Sequence, residues 1–201
     1  MKQQKIKVFD RWEVEDIKIV DPGLIRYINL NPRIIPLTGG KNIGVRFRKS
    51  NTFIVERLIN KVMVPGHKAK KHKITSGYFT GKSFTAARIV YEAFEYIENK
   101  TKLNPITVFV EALVNSCPRE EIITIKYGGA RYPKPVECAP QRRVDIVLRL
   151  FTQSAFQKSF NAKKPMSEVL ATELIAAYKL DLSSQAISKK NELERQADGS
   201  R

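Results

Sequence analysis

The stretch Ser83-Phe84-Thr85-Ala86-Ala87-Arg88-Ile89-Val90-Tyr91-Glu92-Ala93-Phe94-Glu95-Tyr96-Ile97 decides the fold class. Phe84, Ala87, Val90, Tyr91, Phe94 and Ile97 recur at spacings of three and four, the repeat of one helix face. Ser83 stands before the run as an N-cap, where a hydroxyl accepts an orphan backbone N–H. Such a helix is stable only when its apolar face meets other elements.

The same period continues on both sides. Asn104-Pro105 opens a helix with Ile106, Phe109, Val110 and Leu113 inward, and Cys117-Pro118 stops it. Upstream, a helix beginning at Ser50 or Asn51 carries Phe53, Ile54, Leu58, Ile59, Val62 and Met63 on one face and ends at Pro65-Gly66. Asp21-Pro22 predicts a first short helix, with Asp as cap. After Pro140, a helix beginning with Arg142-Arg143 turns Val144, Ile146, Val147, Leu150, Phe151, Ala155 and Phe156 inward. Further helices run from about Pro165 to Tyr178 and from about Ser184 to Ala197.

Residues 119–139 break this period. Ile122-Ile123-Thr124-Ile125 is β-branched throughout, Gly128-Gly129 marks a turn, and Tyr132 to Cys138 holds two prolines, which together predict a two-stranded hairpin. Pro133 and Pro135 cannot donate to a central ladder, so both strands are edges. A lone hairpin is marginal in water, so this one leans on a partner. The fold class is all-α: a helical bundle of about six helices with a protruding β-hairpin arm and a basic N-terminal extension. Residues 1–49 form the extension with its basic loop, and 50–201 a single helical domain with the arm at about 119–139.

Charge names the class of partner. The 201 residues carry 36 Lys and Arg against 20 Asp and Glu, a formal +16, while 42% hydrophobic content suffices for a core. Residues 41–82 hold eleven Lys or Arg and one acid, Glu56, a net +10 in one fifth of the chain. Repulsion on that scale opposes a compact state unless counter-charge binds, so a polyanion is expected. No uncharged run exceeds eight residues, whereas a membrane span needs roughly 20 apolar ones. Met1-Lys2-Gln3-Gln4-Lys5 lacks the apolar stretch of a signal peptide, and two cysteines make no disulfide framework. The expected compartment is the cytoplasm.

Other motifs carry less. Gly81-Lys82-Ser83 ends like a phosphate-binding loop, but the pattern needs glycine where Ser76 stands, and lysines rather than a buried strand precede it. It reads as a loop leading into a helix N-terminus, where backbone N–H groups meet phosphate. His67 and His72 are five apart with lysines between them, which does not suit a helical metal pair, and no metal is expected. The run His67 to Lys73 reads as a loop too repulsive to pack against itself. Cys117 and Cys138 have no C-x-x-C partner and read as half-buried residues facing each other at the arm's base. No catalytic triad or carboxylate pair stands out.

Several motifs in order resemble the family of small-subunit ribosomal protein seven. They are Phe53 to Met63; Gly81-Lys82-Ser83 leading into Ala87 to Phe94; Asn115 to Glu120; Gly128-Gly129-Ala130 with Val136-Glu137; Pro140 to Arg143; and Leu170 to Ile175. The long 66–81 loop, Val8-Phe9-Asp10-Arg11-Trp12 and the tail Lys189 to Arg195 are similar to the archaeal and eukaryotic form, archaeal by Gly39-Gly40 and the compact tail. The resemblance implies a structural ribosomal protein, not an enzyme, with no cofactor and no membrane. It implies a primary binder of small-subunit ribosomal RNA that nucleates assembly of the head domain. Its arm would lie at the subunit interface, near exit-site transfer RNA and the messenger path, with head proteins nine and eleven as neighbours.

Basic loops and family agree on the contacts. Lys41, Arg46, Arg48, Lys49, Lys68, Lys70, Lys71, Lys73 and Lys82 neutralise phosphates, with affinity from counterion release. Arg119, Arg142 and Arg143 hold RNA at the arm's base, while Tyr127, Gly128, Gly129, Arg131 and Tyr132 form a tip able to stack or pair with a nucleotide. The other class considered, a helical DNA-binding regulator, needs a basic recognition helix; residues 84–99 offer only Arg88 against Glu92, Glu95 and Glu98.

Overall fold

The computed structural model describes residues 6–39, 44–68, 71–72 and 80–201, with backbone alone at 67, 68, 71 and 72. Among these residues the helices are α1 (Ile54–Val62), α2 (Ser83–Thr101), α3 (Pro105–Ser116), α4 (Pro140–Ser159), α5 (Met166–Tyr178) and α6 (Gln185–Asp198). Strands β1 (His67–Lys68) and β2 (Lys71–His72) make one small ladder, and β3 (Glu120–Tyr127) and β4 (Ala130–Glu137) make the arm. The mostly helical bundle with its hairpin agrees with the fold class read from the sequence.

Helix α5 sits against α2, α3 and α4. Its Val169, Leu170, Ala171, Leu174 and Ala177 join Phe94, Phe109 and Phe151 in one buried core. Glu173 of α5, also buried, accepts hydrogen bonds from Ser154 Oγ (2.7 Å), Lys158 Nζ (2.7 Å), Ser184 Oγ (2.9 Å) and the Gln185 N–H (2.7 Å). A carboxylate there satisfies the orphan donors at the start of α6 and complements that helix's positive end. Helix α6 in turn packs on the base of β3 and β4, the support that a two-stranded ribbon requires.

Residues 8–37 contribute to the same core. Val8, Trp12, Leu24 and Ile28 are buried, and the Trp12 ring meets Phe94 edge-on at 5.7 Å between centroids. Asn104 caps α3 as read from the sequence, accepting from the Ile106 N–H at 3.0 Å. Its amide also donates to the Glu13 carbonyl, tying this segment to the bundle.

Several local expectations change. Asp21-Pro22 starts turns, not a helix: Asp21 accepts from the Gly23 N–H at 2.9 Å as a cap would, but the bonds that follow, Leu24 N–H to the Asp21 carbonyl and Tyr27 N–H to the Leu24 carbonyl, close turns of the i to i+3 kind instead of building an α-helical ladder. Helix α1 starts at Ile54, after a 3₁₀ turn over Arg48–Asn51, because the Asn29 carbonyl takes the Ile54 N–H at 3.0 Å. Ser83 is the first residue of α2, and the N-cap position falls to Lys82, whose side chain makes no capping bond. The buried face of α2 is Ala86, Val90, Ala93, Phe94 and Ile97, which turns Phe84 out to 80% exposure. The 67–73 run does pair with itself, His67 against His72 and Lys68 against Lys71. Solvated charges repel by only about 1 kcal/mol at 4 Å, so repulsion does not forbid a backbone ladder. Cys117 and Cys138 are free thiols and are fully buried, not half-buried.

Candidate nucleic-acid interface

One basic described region is the turn that enters α1, with Arg46, Arg48 and Lys49 and no acid over residues 44–52. Arg46, Phe47 and Arg48 point outward, while the next two residues are held to α4: the Ser50 hydroxyl donates to Gln141 Oε1 and Lys49 Nζ to Asp145. Arg57, only 5% exposed, donates to the Tyr27 carbonyl at 2.8 Å and to Asp145 at 3.1 Å. Burial would raise the Asp145 pKa, yet the Lys49 hydrogen bond and the Arg57 charge outweigh it and hold the carboxyl below its ordinary value. Burial pulls Arg57 down, opposed by Asp145.

Lys61 and Arg149 are felt at the same carboxylate. Burial lowers Lys61, Asp145 opposes this, and Lys49, Arg149 and Arg57 push it further down. Burial also lowers Arg149, with like charge from Arg142 adding to the effect. Asp145 thus pairs directly with Lys49 and Arg57 and its charge is felt by Lys61 and Arg149, so positive charge outnumbers it and favours an incoming anion. Lys49, Arg57 and Lys61 line a cleft of about 560 Å³ together with Asn60, Ser83 and Asp145. Glu56, also on its wall, is engaged by the Thr38 N–H at 2.9 Å and by the Thr38 hydroxyl.

The arm's base is a second basic region, and its cations differ in availability. Arg142 makes a two-pronged pair with Glu121, 2.6 and 2.7 Å, yet stays 57% exposed. Arg143, at 11% exposure, is spent internally on Asp21 (2.8 Å) and the Pro118 carbonyl (3.0 Å). Arg119 is exposed and, among the described residues, hydrogen-bonds through its backbone, its N–H donating to Glu194 and its carbonyl accepting from the Cys138 N–H. Beside them, burial pushes the Cys117 thiol up to about 12 and the Cys138 thiol up to about 11.

Tyr127 pairs with Ala130 across Gly128-Gly129, whose φ of +53° and +87° suit a two-residue turn that only glycine enters freely. Pairing Ile125 with Tyr132 sets Ile123, Ile125, Tyr127 and Tyr132 on one face. Lys126 and Arg131 oppose each other on the other face, a like-charge pair that weakens the ribbon unless an anion joins it.

Arg46, Arg48, Lys49 and Lys82 thus lie within the described structure, with Arg46, Arg48 and Lys82 exposed and in no ion pair with a described residue. Lys41, Lys70 and Lys73, and the side chains of Lys68 and Lys71, lie outside the described residues, as do those of His67 and His72. Gly81, at φ +72°, spends its N–H on the Met63 carbonyl, so the Gly-Lys-Ser segment offers less to phosphate than its sequence suggests. The structure adds to the candidate surface Lys61 and Arg149, which feel the charge of Asp145, and the exposed Phe47. The alternation Val45-Arg46-Phe47-Arg48 was the available signal for the last.

The ribosomal protein S7p/S5e family model matches residues 26–201. The chain belongs to this family. Small ribosomal subunit protein uS7 of Nanoarchaeum equitans (strain Kin4-M) is 50% identical over 199 residues, 98% of this chain and 100% of that protein. The uS7 of Methanoregula boonei is 45% identical over 199 residues, covering 99% and 92%. That of Archaeoglobus fulgidus is 43% identical over 199, covering 99% and 97%. This family member is therefore a ribosomal protein of archaeal type, a structural protein and not an enzyme.

Proposed function

We propose that this protein is a primary binder of small-subunit ribosomal RNA in the cytoplasmic ribosome, and that its binding nucleates assembly of the head domain. The observation that carries the reading is the net +10 of residues 41–82, whose described members Arg46, Arg48 and Lys82 stand exposed. Such groups gain affinity by releasing counterions from phosphates, and A-form RNA is then read by shape and 2′-OH contacts. The relatives' standing as small-subunit proteins supports this choice of RNA. The arm reaches the subunit interface beside exit-site transfer RNA and messenger, with Tyr127, Arg131 and Tyr132 at its tip and head proteins nine and eleven as neighbours. An exposed ribbon that weakens itself by opposing Lys126 and Arg131 suits such a contact.

The test is the salt dependence of affinity for transcribed small-subunit RNA, with duplex DNA as control. Replacing Lys68, Lys70, Lys71 and Lys73 by Gln should flatten the slope of log K against log salt by about 3, at ~0.7–0.9 per phosphate contact. An unchanged slope, or equal affinity for duplex DNA, would overturn the reading.

A further inference from the structure

Phe47 is costly in two independent ways. Its ring is 60% exposed, and its backbone lies at φ +62°, a region that bulky side chains rarely enter. Glycine would take that angle freely and expose nothing. The turn that carries it is nonetheless held in place, by Ser50 on Gln141 and Lys49 on Asp145. The Arg46 guanidinium lies over the ring, 5.1 Å from its centroid, and Arg48 follows on the exposed side. Backbone strain that the surroundings maintain, at an aromatic flanked by cations in no ion pair with a described residue, marks a ligand contact more readily than a packing one.

We propose that Phe47 is a stacking platform for one unpaired base of the bound RNA, with Arg46 and Arg48 holding the adjoining phosphates. This rests on the RNA-binding reading above and adds a base contact to it. RNA is favoured over a protein partner because the Arg46 guanidinium lies over the ring and the exposed Arg48 and Lys49 follow it directly. Base–aromatic stacking is worth ~1–3 kcal/mol, or about 5- to 150-fold in affinity.

The test uses the full chain and transcribed small-subunit RNA. Trp12 is the single tryptophan and is buried, so Phe47→Trp adds a reporter at the turn. Its added fluorescence should be quenched on RNA binding, with affinity kept within about twofold by an indole that stacks as well. Phe47→Leu should bind about 5- to 150-fold more weakly with the same salt slope, since stacking releases no counterion. Phe47→Gly should lose the same affinity while melting no lower than the parent, because its backbone strain is relieved. Arg46→Gln with Arg48→Gln should instead flatten the slope by about 1.5. Parental affinity in Phe47→Leu together with an unquenched indole overturns the stacking site. An additional failure of the paired arginine change to alter the slope would overturn the assignment of this turn to RNA.

Discussion

The turn entering α1 and the tip of the arm both offer aromatic and cationic side chains to solvent, but they are built in opposite ways. Behind the turn stand Ser50 on Gln141, Lys49 on Asp145 and the buried Arg57. Behind the tip, among the described residues, stands its own ladder, with Tyr127 80% exposed and both residues of the turn glycine. The core therefore fixes the first surface, whereas local pairing and α6 at the base hold the second. A rigid shell suits recognition of a folded partner, and a weakly anchored ribbon suits a contact completed by its surroundings.

The largest expected effect tests the shell. Asp145→Asn leaves Arg57 buried without its counter-charge and should cost about 3 kcal/mol near pH 7, at the low end for broken buried pairs because Asp145 is a quarter exposed. Because the Asp145 pKa is lowered in the folded state, its contribution is present above its unfolded value, ~3.9, and fades as pH falls through the lower folded one. Urea denaturation should accordingly show the gap between parent and variant closing toward pH 3. A gap that widens in acid would break the proposed link between the pair and the turn.

Next is Gln141→Ala, which strands the buried Ser50 hydroxyl and should cost about 1–2 kcal/mol. If the shell orders the turn, hydrogen exchange at residues 46–52 should quicken beyond what the global loss explains.

At the arm, Gly129→Val forces a branched residue to φ +87° and should fray the tip. Global stability should move by less than ~0.5 kcal/mol, because nothing in the core touches that end. A substantial fall in melting temperature would make the arm a core element and erase the contrast.

The smallest effect is an expected silence. With thiols pushed up to about 12 and about 11, Cys117 and Cys138 should resist iodoacetamide at mildly alkaline pH in the parent and in Gly129→Val alike. Labelling of either in the tip variant would show that fraying runs down to the base.

The helices and the arm could be read along the chain because their signals are local. A face at spacings of three and four, Asn104-Pro105 and Gly128-Gly129 each act within a few residues. The net +10 of residues 41–82 was equally plain, since charge needs no fold to be counted. Three things needed the tertiary structure. Residues 8–37 show no regular period, yet Trp12, Leu24 and Ile28 are buried, because they join the core that the helices also form. Arg143 and Arg142 are adjacent in sequence, but the packing of α4 spends one on Asp21 and leaves the other largely in solvent. Phe84 and Phe47 read as core and as unremarked loop, and both prove exposed. A hydrophobic period gives the direction of a helix face only to within about one residue, 100° of rotation, and which way that face turns is decided by the elements packed against it.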